Sequence, residues 1–89
     1  MAEIKISNHA RTQMSERGIT EEMVMEIVAA AQQTVTQGEE KMIYQSVKYF
    51  EEDGRNFLVR VFVNIIKQPN LIITVYRTTK IEKYWQNED

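Results

Sequence analysis

The chain has 89 residues, enough for one domain and no second, and its 43% hydrophobic, 27% charged and 9% aromatic residues are those of a folded domain rather than a disordered tail. It has no cysteine and one histidine, which excludes disulfides, a thiol nucleophile and any Cys- or His-rich metal site. A net charge of −2 and a pI near 5.4 argue against a strong general nucleic-acid binder, which normally carries a basic excess.

Ile4 and Ile6 precede Ser7, a good N-cap type, and a helical pattern follows with Ala10, Met14 and Arg17 on one face. Gly18 is placed to end this helix in the left-handed conformation, with Ile19 following for a hydrophobic contact. Thr20 starts a second helix, and Glu21 and Glu22 suit the positive end of its dipole. Ile19 and Val24 fit a hydrophobic staple. Met23, Val24, Ile27, Val28 and Ala31 form the apolar stripe of this helix, and the helix is expected to run to about Gln32.

From Thr34 the period changes. Residues 34–36 predict a short strand that breaks near Gly38, and residues 41–50 predict a mixed strand. Asp53-Gly54 marks a hairpin. Beyond it Phe57, Val59, Val61, Val63 and Ile65 alternate with Leu58, Arg60, Phe62, Asn64 and Ile66. The odd face is wholly apolar and is expected against the helices. Gln68-Pro69-Asn70 makes the next turn, and residues 71–78 make the last long strand. In that strand Leu71, Ile73 and Val75 fit the core face, and Ile72, Thr74, Tyr76 and Thr78 the other. Residues 81–89 read as a polar tail with Tyr84 and Trp85 as anchors.

The expected fold class is therefore α+β: two N-terminal helices packed on a mainly antiparallel four-stranded sheet. Parallel pairing is not expected, because no helix lies between the strands. Residues 1–89 form a single domain, with 1–5 and 81–89 frayed. No apolar run of secretory or membrane length follows Met1, so the expectation is a cytoplasmic protein that meets no membrane.

Charge is unevenly spread. Residues 1–53 hold 10 acids and 5 bases, net −5, and residues 54–89 hold 3 acids and 6 bases, net +3. The second half therefore has room for an anion site. No phosphate-binding glycine loop or nucleophile elbow is present. His9 carries the one imidazole of the chain. It fits a proton acceptor, though on its own it fits better a histidine that packs or caps at a helix start. Arg17 fits a cation on the last carbonyls of its helix. Arg60 stands mid-strand in an apolar run and must face solvent, a partner or an anion. Ser46, Lys48, Thr74 and Tyr76 are expected to share its face, a donor cluster suited to phosphate.

The segment Ser7-Asn8-His9-Ala10-Arg11-Thr12-Gln13-Met14-Ser15-Glu16-Arg17-Gly18-Ile19-Thr20 resembles the opening of a bacterial domain-of-unknown-function family, in which a histidine precedes Glu-Arg-Gly-Ile-Ser/Thr. Ile72-Ile73-Thr74-Val75-Tyr76-Arg77 resembles its closing Ile-Thr-Val-Tyr strand. That family is grouped with the RelE/BrnT-like toxins of the barnase–colicin–RelE ribonuclease fold. The resemblance implies a RelE-like fold and metal-independent RNA cleavage, with no cofactor and no metal. It further implies RNA as partner, on the ribosome in some members, and an antitoxin protein. His9 and Arg17 match the opening motif, and Thr74 and Tyr76 the closing one; with Arg60 they form the expected catalytic set. Lys48, Arg77 and Lys80 are the expected RNA-binding cations. The alternative is a non-enzymatic module, an inhibitor or adaptor that presents the acidic first half to a basic protein.

Overall fold

A computed structural model describes residues 3–87. The fold is α+β, and the described residues form one five-stranded mixed sheet and three helices. In chain order these are β1 (Ile4–Ile6), α1 (Asn8–Arg17), α2 (Glu21–Ala30), β2 (Gln33–Gln37), β3 (Lys41–Phe50), β4 (Arg55–Asn64), β5 (Asn70–Thr78) and α3 (Ile81–Tyr84). The sheet order is β1-β5-β4-β3-β2.

The helix ends follow their caps. The Ser7 hydroxyl accepts from the Ala10 N–H at 3.1 Å, and the Thr20 hydroxyl from the Met23 N–H at 3.1 Å. Gly18 has φ 65° and donates its N–H to the Met14 carbonyl, which also accepts from the Ile19 N–H at 2.9 Å. Ile19 is buried beside Met14, as the cap pattern requires. α2 stops at Ala30, short of Gln32, because Ala31 turns extended. The Gln32 N–H then donates to the Ser46 hydroxyl, and its side-chain oxygen accepts from the Val47 N–H. Those two bonds lead the chain into the sheet.

Val59, Val61 and Val63 are fully buried against Ala10, Met14, Val24 and Ile27. Phe57 and Ile65 pack on the same core, half-buried. The alternation of β4 thus places its odd face under the helices.

Three features differ from expectation. First, β1 joins the sheet parallel to β5, so the sheet is mixed and has five strands rather than four. The strand lies before the helices, so α1 and α2 begin the crossover that parallel neighbours need. Counting only consecutive strands hides this pairing. It also takes Ile4 and Lys5 out of the expected frayed end. Beyond β1, the Val75 N–H on β5 donates to the Gln13 side chain of α1 at 2.9 Å.

Second, a bulge shifts the β4–β5 register between Phe62↔Thr74 and Val63↔Ile72. Ile72, not Ile73, therefore takes the core position, and it is fully buried. Leu71 falls opposite Asn64, on the other face.

Third, residues 81–87 are docked rather than frayed; Met1, Ala2, Glu88 and Asp89 lie outside the described residues. The Gln33 side chain donates to the Gln86 carbonyl at 2.6 Å and accepts from the Gln86 N–H at 3.0 Å. The sheet face away from α1 and α2 thus carries a cover. No helix among the described residues is long and apolar enough to cross a membrane.

A Cβ added at Gly18 meets no atom within 4 Å, so only its backbone conformation resists substitution. Gly18→Ala is expected to cost about 1 kcal/mol. A thermal melt should show a loss of about 4–8 °C; an unchanged melt would mean that the cap conformation contributes nothing.

Candidate functional site

The candidate site lies on the covered face, at one level of three neighbouring strands. Gln45 of β3, Arg60 of β4 and Tyr76 of β5 are direct register partners. Each takes the even-face phase that β4 alternation turns away from the helices. Arg60 is 7% exposed and Gln45 is fully buried. Arg60 Nε donates to Gln45 Oε1 at 2.9 Å, and Nη1 donates to the Tyr76 hydroxyl at 2.7 Å. Gln45 Nε2 donates in turn to Gln33 Oε1 at 2.9 Å and to the Tyr84 carbonyl at 3.1 Å.

Three aromatic rings surround the guanidinium. Its Cζ lies 4.4 Å from the ring centre of Tyr84, 5.4 Å from Phe62 and 5.8 Å from Tyr76. Tyr76 and Tyr84 meet edge to face at 6.4 Å. Among the described residues no carboxylate pairs with Arg60: the ion pairs are Arg11–Glu21, Arg17–Glu16, Lys48–Glu26 and Arg77–Asp53. A buried cation is thus held by an amide oxygen, a hydroxyl and π faces, all of them neutral.

Thr74 stands opposite Phe62, two residues from Tyr76 and on the same face. Arg60, Thr74 and Tyr76 are therefore brought together. The other expected residues are not. Ser46 and Lys48 face the helices, opposite Val59 and Phe57. The Ser46 hydroxyl accepts from Gln32, and Lys48 pairs with Glu26 of α2. The true register puts Gln45 beside Arg60, and an offset of one residue exchanges faces. Arg77 pairs with Val59 on the helix side, with its Cζ 4.3 Å from the ring centres of both Phe50 and Phe57 and a 2.7 Å bond to Asp53. It braces the β3–β4 turn. Lys80 is exposed in the link between β5 and α3.

His9 is exposed in the first turn of α1, across the sheet from Arg60. Arg17 ends that helix, with Nη1 buried and 4.0 Å from Glu16. Neither shares a cleft with Tyr76. Among the described residues no group of three or more His, Asp or Glu could hold a metal. Gln45 and Tyr84 are the site members that sequence reasoning missed. The signal for Gln45 was a lone amide between Ile43 and Val47, in phase with an arginine on the next strand.

The ring–cation contact is measurable. Tyr84→Leu should lower stability by about 1–2 kcal/mol. In an Arg60→Met background the loss should shrink, giving a coupling of about 1 kcal/mol in a four-protein urea-denaturation cycle. Equal losses in both backgrounds would reduce Tyr84 to simple burial.

Comparison with known proteins gives one finding. A family model described as Domain of unknown function (DUF4258) matches residues 6–77. No curated protein and no solved structure matches the chain.

Proposed function

The chain belongs to the DUF4258 family, and from that premise we propose that it is a RelE/BrnT-like, metal-independent RNase toxin whose RNA site is the sheet face around Arg60. One observation carries this reading: a mid-sheet guanidinium, 7% exposed, bonded to a tyrosine hydroxyl and paired with no carboxylate among the described residues. Its positive field is left for an outside anion.

The chemistry follows from what the face offers. The ribose 2′-oxygen attacks the adjacent phosphorus, and the bond to the 5′-oxygen breaks. Arg60 stabilises the charge that grows on the phosphoryl oxygens. The Tyr76 hydroxyl donates to the departing 5′-oxygen, and Thr74 adds a second hydroxyl. His9 lies across the sheet and takes no part. The 2′-OH proton passes to water or to a group of the ribosome-bound substrate. Phe62, Tyr76 and Tyr84 supply stacking surfaces for unpaired bases. Entry to Arg60 requires the Tyr84 ring to swing aside. An antitoxin protein would cover the same face in the resting cytoplasm.

A second reading, a non-enzymatic binding module, is favoured by a different observation. Two of the Arg60 nitrogens are already bonded within the chain, and residues 1–53 carry a net −5 that suits a basic partner.

Expression of the parent, Arg60→Met, Tyr76→Phe and His9→Ala separates the two. The first reading expects growth arrest by the parent and RNA cleavage that persists in EDTA. Arg60→Met should lower cleavage by about a hundredfold or more, Tyr76→Phe should lower it, and His9→Ala should leave it unchanged. A parent that cuts no RNA, alone or with ribosomes, would favour the binding module. Cleavage indifferent to both Arg60→Met and Tyr76→Phe would place the centre elsewhere.

A further inference from the structure

β2 is an outer strand of the sheet, with β3 on one side and, among the described residues, no strand on the other. An edge of this kind presents unpaired N–H and C=O groups, and natural edges are usually guarded by charge, proline, shortness or a cover. The opposite edge has such guards. β1 has three residues and carries an exposed Lys5, and Gln13 of α1 bonds β5 where β1 ends. Among the described residues β2 has no comparable guard. Its five residues contain no charge and no proline. The surrounding run 27–38 is also uncharged, in a chain that is 27% charged. Ala29, Ala30 and Gln32, just before the strand, are exposed.

The sequence of β2 is also a palindrome: Gln33-Thr34-Val35-Thr36-Gln37. When two such strands run antiparallel about a two-fold axis at the middle residue, each position meets its own kind. Val35 faces Val35 of a second copy, Thr34 faces Thr36, and Gln33 faces Gln37. Thr–Thr and apolar cross-strand pairs are favourable, and no like charges meet. A two-fold contact closes on itself, so it yields a dimer rather than a fibre.

We infer that β2 is a self-association edge, and that its occupant is β2 of a second copy, paired antiparallel through Val35 so that two five-stranded sheets become one. Thr34 and Thr36 are exposed on the helix side, opposite Tyr44 and Met42. Gln33 and Val35 are half-buried on the other side, so the strand enters the pairing already held. A five-residue edge buries less than the roughly 1,000 Å² that a tight interface needs. The dimer is therefore concentration-dependent.

The absence of cysteine from the chain makes the register directly testable. Residues directly opposite in an antiparallel pair have Cα atoms about 4.5–5.5 Å apart, within disulfide range. Val35→Cys should therefore cross-link into a dimer under mild oxidation. Gln37→Cys should not, because its two copies lie about 14 Å apart along the strands. A mixture of Gln33→Cys and Gln37→Cys should cross-link again. Sedimentation equilibrium supplies a second test with both exposed threonines changed in each variant. The parent mass should rise with concentration toward twice the 10.5 kDa of the chain. T34K/T36K sets lysine against lysine and should stay monomeric. T34K/T36E sets lysine against glutamate and should dimerise. Far-UV circular dichroism confirms that all variants fold. A parent monomeric at every soluble concentration would overturn the inference. So would equal cross-linking of Val35→Cys and Gln37→Cys, or indifference to the charge pattern at 34 and 36. A β2 that pairs only with a different protein's strand would appear as the first of these outcomes.

Discussion

The charge of Arg60 sets the terms for one side of the sheet. Burying a guanidinium is strongly unfavourable unless its N–H groups and its field are both met. Gln45 meets Nε, Tyr76 meets Nη1, and three rings meet the field. Gln45 must then be held in its turn, which Gln33 and the Tyr84 carbonyl do. Tyr84 thus contributes twice, through its ring to the cation and through its carbonyl to the amide. A four-residue helix has no stability of its own in water. α3 keeps its place because this network and the Gln33–Gln86 bonds hold its far end. The C-terminal segment is thus tied both to one charged residue in the middle of β4 and to Gln33 of β2.

What the sequence made legible follows the same division. Caps and alternation are local, so Ser7, Gly18, Thr20 and the odd residues of β4 were readable. Register between strands is not local. Nothing in residues 41–50 alone says whether Gln45 or Ser46 lies beside Arg60, and the difference reverses a face. The bulge after Phe62 is the same problem within one strand, since Leu71, Ile72 and Ile73 are all apolar. The C-terminal segment misled by composition. Residues 81–89 are mostly polar and read as solvated, but the main chain at Tyr84 and Gln86 bonds the side chains of Gln45 and Gln33, a contact that composition does not show. Of the candidate site, Arg60, Thr74 and Tyr76 were legible from position alone. His9 and Arg17 were joined to them by motif, and the two-layer fold keeps them apart.

The two sides of the sheet also treat cations differently. Lys48 and Arg77, on the helix side, both end on carboxylates, Glu26 and Asp53. Each pair ties neighbouring elements together, and each cancels its own field. Arg77 and Arg60 are on adjacent strands and both are flanked by aromatic rings, Arg60 in the middle of β4 and Arg77 near the end of β5. The carboxylate is the difference. Asp53 fixes Arg77 as a brace for the β3–β4 turn.

Neutral partners leave Arg60 in another state. An amide oxygen and a hydroxyl satisfy hydrogen bonds without removing charge, and a π face offsets only part of it. Three rings meet the field in part, and the rest of the charge stays on a guanidinium that water screens little. The charges of Lys48 and Arg77 on the helix side are thus cancelled in pairs that stay partly open to water, and the charge of Arg60 on the covered side is buried among neutral groups.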